Sequence, residues 1–229
     1  IVDYVTQQSL SVYPAYGDLD ELIARYAGIP AEHCMFTNGS DQAIDLIIRC
    51  CCAAGTEAIL PSPTFAMYEQ SATAENLVIR RPMFTREAGF PTEGVLAAIS
   101  PRTSLIILCN PNNPTGTEIP KADMLAIARA APHAAILVDA CYYEFMPEGT
   151  TMAHEVASLP NVFVTRTFSK TWGIPSLRLG YIITAKPNVS AICCVRGPYD
   201  INMCSVVAIR AALKEPQYVY DFVDELVHQ

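Results

Sequence analysis

The chain is poor in charge and has neither a long basic segment nor an apolar run of membrane-spanning length. Charged residues make up 17% of the 229 residues, and the net charge of -8 argues against a nucleic-acid partner. No apolar stretch approaches the roughly 20 residues that a membrane helix needs, and the first residues, IVDYVTQQ, lack the layout of a secretory signal. We therefore expect a small-molecule ligand, with neither nucleic acid nor membrane as a partner.

Signatures of a disulfide framework and of a metal site are also lacking. The nine cysteines are an odd number and include the consecutive Cys50, Cys51 and Cys52, which suits neither paired disulfides nor zinc-ligand spacing. The four histidines are scattered without ligand spacing. We expect reduced, mostly packed thiols, a cytoplasmic location and no metal site.

Hydrophobic residues make up 51% of the chain, which is enough for one substantial core, and we predict a single principal domain over residues 1–229. Short apolar runs alternate with helical patterns, which indicates an α/β fold of three layers, α/β/α, with a mostly parallel sheet. The predicted strands are 35–37, 57–60, 77–79, 104–108, 134–138, 161–164 and 179–183. The predicted helices are 19–27, 41–52, 68–74, 92–99, 121–130, 203–215 and 217–229.

Polar residues follow four of the predicted strands, at the end where an open α/β sheet binds its ligands. Residues 37–41 (TNGSD) open an apolar helix whose free backbone N–H groups suit a phosphate, although an ordinary capped helix is the alternative. Residues 110–116 (NPNNPTG) form a rigid turn in which Asn113 offers a fixed amide to a ligand oxygen. A plain turn is the alternative there.

Two further strand ends carry ionisable groups. Asp139 ends the buried strand AAILV, where a carboxylate needs a cationic or N–H partner; a helix cap or a structural ion pair is the alternative. Lys170 lies in a loop with the hydroxyl groups of Thr167 and Ser169 and near Arg178. A neighbouring cation favours the neutral amine, which can attack a carbonyl group, whereas a solvated surface lysine is the alternative.

Together these segments resemble the fold-type I pyridoxal-phosphate aminotransferases, and among them the histidinol-phosphate aminotransferase-like branch. The matching motifs are NGSDQAIDL, PSPTF, NPNNPTG, VDACYYEF and TFSKTWGIPSLRLG, in the family's order and over nearly all of the chain. The resemblance implies the large domain of the pyridoxal-phosphate-dependent transferase fold, with pyridoxal 5'-phosphate as cofactor. It also implies transamination between an amino acid or an amino-alcohol phosphate and a 2-oxo acid, as in amino-acid biosynthesis.

The resemblance further implies a role for each matching residue. Lys170 carries the cofactor as a Schiff base and moves the proton during the reaction, while Asp139 pairs with the pyridinium nitrogen. Asn113 and Tyr142 bind the phenolic oxygen, and Phe65 stacks on the ring. A tyrosine is the commoner occupant of this last position, so Phe65 is a mild departure from the family.

The residues implied to bind the cofactor phosphate offer backbone N–H groups, hydroxyl groups or a guanidinium group, and they are Ser40, Asp41, Thr167, Ser169 and Arg178. Tyr13 of the segment VYPAYG matches a family tyrosine that reaches a phosphate in the neighbouring subunit. The resemblance therefore implies a homodimer with shared active sites.

Two parts of the family pattern are expected to be missing from this chain: the N-terminal arm, and the small C-terminal domain with the arginine that binds the substrate carboxylate. No residue is assigned to that arginine's role. Two alternatives stay open, a decarboxylase resembling the threonine-phosphate decarboxylases and a cofactor-binding fragment without turnover. A nicotinamide-dependent dehydrogenase is disfavoured, because no G-x-G-x-x-G motif follows a predicted strand.

Overall fold

The computed structural model describes residues 1–3 and 11–228, which include a seven-stranded sheet with helices on both faces. The strands in chain order are β1 (Cys34–Thr37), β2 (Glu57–Ile59), β3 (Val78–Arg80), β4 (Thr103–Cys109), β5 (Ala135–Asp139), β6 (Val162–Thr167) and β7 (Gly180–Thr184). Their order across the sheet is β1-β7-β6-β5-β4-β2-β3. β7 pairs antiparallel with both of its neighbours, and the other four strand pairs are parallel.

Eight α-helices with assigned bounds surround this sheet in the described part of the chain. They are α1 (Leu19–Ala27), α2 (Gly39–Cys51), α3 (Ala66–Ala74), α4 (Thr92–Ala98), α5 (Lys121–Ala130), α6 (Lys186–Cys193), α7 (Met203–Ala212) and α8 (Gln217–Val227). None of the helices in residues 1–3 and 11–228 is long and apolar enough to cross a lipid bilayer.

The strands divide their apolar side chains between the two faces of the sheet, as their alternation along each strand requires. Ile106 and Leu108 of β4 belong to a cluster with residues of α1, α4, α5, α7 and α8. Leu105 and Ile107 of the same strand belong to a second cluster with residues of α2, α3 and α6. Because both faces are buried, the fold has three layers, and the predicted α/β/α architecture with a mostly parallel sheet is confirmed.

All seven predicted strands are present, with ends that differ from the predicted ones by at most three residues. The prediction missed α6, which begins with the sequence Lys-Pro, because Pro187 was taken as the point where regular strand signals end. A proline in the first turn is compatible with a helix, since its missing N–H group has no partner there in any case. The helix predicted over 203–215 ends at Ala212, and the one predicted over 217–229 ends at Val227, with Gln229 outside the described residues.

Candidate active-site cleft

A cleft lies at the carboxyl ends of the parallel strands, where the register sets Cys109, Asp139 and Thr165 side by side on neighbouring strands. Its lining contains ten of the eleven residues predicted for the site, namely Ser40, Asp41, Phe65, Asn113, Asp139, Tyr142, Thr167, Ser169, Lys170 and Arg178. Five segments that are distant in the sequence therefore meet in one place, which is the position expected for a ligand in an open α/β sheet.

Asp139 lies in the buried part of this cleft. Its side chain ends β5 and is only 3% exposed. Thr165 donates a hydrogen bond to Oδ1 over 3.1 Å, and the hydroxyl of Tyr68 donates to Oδ2 over 2.5 Å. Burial raises the pKa of Asp139 above its ordinary value, and the hydrogen bonds from Cys141, Tyr68 and Thr165 oppose this rise. A cation in the cleft would offset the desolvation of the carboxylate.

Lys170 lines the same cleft as Asp139 and follows the end of β6 by three residues. Its side chain is exposed, and Nζ lies 5.6 Å from the centroid of the Tyr142 ring. Tyr142 follows the end of β5, so the two neighbouring strands place an amine and a phenol together. The cleft thus combines a buried carboxyl group with an accessible primary amine.

The first turn of α2 forms the polar wall of the cleft. The N–H groups of Ser40 and Asp41 lie in this turn and lack an acceptor within the helix, because the first four N–H groups of any α-helix do. Nη2 of Arg178 lies 2.8 Å from Oδ2 of Asp41. Gly39, with φ of +71°, allows this approach, since a Cβ atom there would lie 2.8 Å from Nη2 of Arg178. Two N–H donors and one guanidinium group meet at this turn, which suits an anion.

The hydroxyl groups of the Lys170 loop differ in their partners. Oγ1 of Thr167 donates to the carbonyl oxygen of Leu179 over 3.4 Å and accepts from the backbone N–H of Ser169 over 3.1 Å. Oγ of Ser169 is buried and has no hydrogen-bond partner among the described residues, although it lines the cleft. A buried hydroxyl without a partner is uncommon and is consistent with a ligand oxygen as its missing partner.

The three asparagines of the segment NPNNPTG have different surroundings. Oδ1 of Asn110 accepts from the backbone N–H of Ile119 over 2.8 Å. Nδ2 of Asn112 donates to the carbonyl oxygen of Pro63 over 3.0 Å, and its Oδ1 accepts from Thr64 over 2.8 Å. Asn113 instead lines the cleft. The amides of Asn110 and Asn112 therefore hold the turn in place. The sequence alone does not reveal these two contacts.

Tyr13 is the one predicted site residue that lies outside the cleft of its own chain. Its side chain is 76% exposed, and its ring stacks on Tyr199 with the centroids 4.3 Å apart. Its contact with a phosphate in a neighbouring subunit stays a prediction.

Three residues that line the cleft were not predicted, and they are Tyr68, Cys109 and Cys141. Sγ of Cys141 donates to Oγ of Ser40 over 3.3 Å. Burial raises the pKa of Cys109 to about 12 and that of Cys141 well above its ordinary value, so both groups stay protonated thiols at neutral pH. Both cysteines lie within two residues of a polar strand end, which is a usable signal, whereas Tyr68 lies inside a helical pattern and carries none.

Comparisons with known proteins agree with this geometry. The profile of the family described as aminotransferase class I and II matches residues 3–229. The histidinol-phosphate aminotransferase of Dehalococcoides mccartyi is 34% identical over 215 residues, which are 93% of this chain and 58% of that protein. The one from Desulfitobacterium hafniense is 36% identical over 209 residues, 88% of this chain and 57% of that protein. The chain thus spans less than two thirds of the length of these relatives.

Solved structures give the same fold. The crystal structure of histidinol-phosphate aminotransferase from Sinorhizobium meliloti in complex with pyridoxal-5'-phosphate superposes with a TM-score of 0.88 at 23% identity, covering 95% of this chain and 60% of that one. L-threonine-O-3-phosphate decarboxylase from Porphyromonas gingivalis superposes with a TM-score of 0.78 at 22% identity, covering 93% of this chain and 67% of that one. At these low identities the likeness shows a shared fold.

Proposed function

The chain belongs to the aminotransferase class I and II family, and we propose that it binds pyridoxal 5'-phosphate and serves the transfer of an amino group to a 2-oxo acid. The amino donor that we propose is an amino acid or an amino-alcohol phosphate such as histidinol phosphate, after the names of the relatives. The observation that carries the proposal is the shared cleft of Asp139 and Lys170, a buried carboxyl group and a primary amine at adjacent strand ends.

The residues of the cleft fit this cofactor at both of its ends. The buried carboxyl group of Asp139 suits the protonated nitrogen of a pyridine ring, because a cationic partner offsets its desolvation. The first turn of α2, the guanidinium group of Arg178 and the unpartnered hydroxyl group of Ser169 suit a phosphate. Phe65, half-buried at the cleft, offers an aromatic face for the ring.

When bound, the cofactor supplies an electron sink for the carbanion that forms at the substrate α-carbon. Nζ of Lys170 would hold the cofactor covalently and, once the substrate amine has replaced it, would move a proton at the substrate α-carbon. Asp139 would keep the pyridine nitrogen protonated. Asn113 and Tyr142 would donate hydrogen bonds to the phenolic oxygen and so orient the ring.

We propose that residues 1–229 form the cofactor-binding large domain and that the enzyme acts as a cytoplasmic homodimer. The exposed ring of Tyr13 supports the dimer, since a tyrosine that binds a phosphate in the neighbouring subunit has to project from its own. Among the described residues, none is assigned to the substrate carboxylate. The proposal therefore concerns the residues that bind the cofactor.

Covalent trapping tests the proposal directly. Adding pyridoxal 5'-phosphate to the purified chain is expected to produce an absorption band that borohydride reduction removes, with the reduced cofactor found on the peptide that contains Lys170. Lys170→Ala is expected to show neither the band nor the label. A label on other lysines at equal yield, or an unchanged band in Lys170→Ala, would overturn the assignment.

The reaction type needs a separate assay. With histidinol phosphate and 2-oxoglutarate, transamination predicts a new keto product together with glutamate. Release of carbon dioxide from an amino-acid phosphate without glutamate formation would favour the decarboxylase alternative. Cofactor attachment without either product would identify a binding domain without turnover.

A further inference from the structure

A second group of polar side chains lies next to the Lys170 loop, outside the cofactor cleft. At its centre is Glu144, whose carboxyl oxygens both accept hydrogen bonds: Tyr26 donates to Oε1 over 3.3 Å, and Thr171 donates to Oε2 over 3.1 Å. Thr171 directly follows Lys170 in the sequence and is only 6% exposed. Glu144 therefore connects α1, which carries Tyr26, with the loop that carries the predicted catalytic amine.

The surroundings of Tyr26 determine the direction of its hydrogen bond. Its hydroxyl group accepts from the hydroxyl of Tyr143 over 2.9 Å and from Nε1 of Trp172 over 3.1 Å. Both lone pairs of the Tyr26 oxygen are then in use, so its single hydrogen points to Glu144. The position of Glu144 requires an acceptor, which a carboxylate oxygen provides.

Arg166 packs against Tyr143 and stabilises this arrangement. The guanidinium group of Arg166, on β6, lies 3.4 Å from the ring centroid of Tyr143 and donates to Oγ1 of Thr151 over 2.8 Å. Arg166 is 2% exposed, so its charge acts on Glu144 with little screening by water. The group is thus a packed network and not a set of mobile surface contacts.

Burial raises the pKa of Glu144 to about 7, against the opposing effects of Arg166, Thr171 and Tyr26. The ionisable and charged groups that face it come from every neighbouring element: Tyr26 of α1, Tyr143 beside it, Arg166 of β6 and Tyr181 of β7. The cavity next to Glu144 is also lined by the ionisable side chains of Glu148, His154 and Tyr220. The carboxyl group therefore changes its charge near neutral pH.

We propose that Glu144 is a positioning residue for Lys170: its carboxyl group holds Thr171 against α1 and so keeps the backbone of the preceding lysine at the cofactor cleft. Glu144 does not line that cleft, and it acts through Thr171. The inference rests on the proposed function, because the position of Lys170 matters only if Lys170 attaches the cofactor.

The tryptophan of this chain allows a test that needs no cofactor. Trp172 is the single tryptophan and is 3% exposed. Its Nε1 donates to the hydroxyl of Tyr26, which in turn donates to Glu144. In the cofactor-free protein, the tryptophan emission is expected to change with pH, with a midpoint near 7, as the charge of Glu144 changes. Glu144→Gln should abolish this transition, and Glu148→Gln, an exposed glutamate at the same cavity, should retain it. The same midpoint in Glu144→Gln, or no transition in the unchanged protein, overturns the inference.

A matched pair of variants at Thr171 tests the positioning itself. Thr171→Val removes the hydroxyl donor at nearly constant volume, whereas Thr171→Ser keeps it. We expect timed borohydride trapping to show attachment of pyridoxal 5'-phosphate to Lys170 about tenfold slower in Thr171→Val and within about twofold of the unchanged rate in Thr171→Ser. Equal rates in the two variants overturn the inference. If the unchanged protein attaches no cofactor, the proposed function fails, and the emission transition still tests the contact between Glu144 and the loop.

Discussion

The hydroxyl oxygen of Tyr68 lies 2.5 Å from Oδ2 of Asp139, and both side chains are almost completely inaccessible to solvent. Tyr68 lies on α3, on the face of the sheet that α2 and α6 also cover, so the contact joins a helix to the end of β5. This hydrogen bond stabilises the ionised form of Asp139 against the effect of burial. The carboxyl group assigned to the pyridine nitrogen thus depends on a phenol outside the predicted site.

Removing that phenol is expected to weaken cofactor binding. In Tyr68→Phe the ring stays in place while the pKa of Asp139 rises further, so that less carboxylate is available to a pyridinium ion. One pKa unit corresponds to about 1.4 kcal/mol, and we expect the dissociation constant of pyridoxal 5'-phosphate to increase about tenfold. Absorbance titration measures it, with the exposed Tyr220→Phe as control. Equal affinities in the two variants would contradict the role given to Tyr68.

Gly180 is expected to be the glycine of the described chain whose replacement disturbs the anion-binding turn most. A Cβ atom at this position would lie 2.7 Å from the backbone carbon of Gly39 and 2.9 Å from the backbone nitrogen of Ser40. Gly180→Ala should lower the free energy of unfolding by about 2 kcal/mol and weaken binding of the phosphorylated cofactor more than that of pyridoxal. Gly197→Ala, where a Cβ atom meets open space, is the control. An unaffected preference for the phosphorylated form would show that the turn does not bind the phosphate.

Asp200 connects the segment before α7 to the segment that starts α2. It accepts two hydrogen bonds from Arg196, each of 2.8 Å, and one from Nε2 of Gln42 over 2.9 Å. The side chains of this ion pair are 10% exposed, so Asp200→Ala leaves a poorly solvated guanidinium group and should cost about 3 kcal/mol in denaturant unfolding. Asp45→Ala, which removes an ion pair whose side chains are 47% and 50% exposed, should cost less than about 1 kcal/mol. Similar losses in both variants would contradict this account.

Local pattern was sufficient for the strands and for most of the site, and the reasons are physical. A strand that is buried on both faces has to be apolar throughout, so β4 and β5 stand out in the sequence. The polar residues just after such strands must lie at one edge of a parallel sheet, which is why Lys170 and Asp139 were expected together. Apart from α6, the prediction missed residues whose contacts join distant segments.

The contacts between Tyr26 and Glu144 and between Tyr68 and Asp139 show this limit. Their partners are separated by 118 and 71 positions, and each tyrosine lies in a helix where an aromatic residue is unremarkable in the sequence. Asn113 was predicted as the amide at the cleft, but only the packing of the turn shows that the amides of Asn110 and Asn112 hold the turn in place. Identifying these residues needs the three-dimensional arrangement.

The pH dependence of stability provides a separate test of Glu144. Its pKa rises from an ordinary value of 4.5 to about 7 on folding, so the unfolded chain ionises this group more readily than the folded chain does. Its contribution to stability is therefore fully present below about pH 4.5 and is lost as the pH rises through about 7. Relative to Glu144→Gln, the unchanged protein should lose about 2 to 3 kcal/mol of unfolding free energy between about pH 5 and 8, measured in urea. Glu148→Gln should follow the unchanged protein, because that side chain is exposed. If Glu144→Gln shows the same pH dependence as the unchanged protein, the titrating group lies elsewhere, because a glutamine at this position has no proton to exchange.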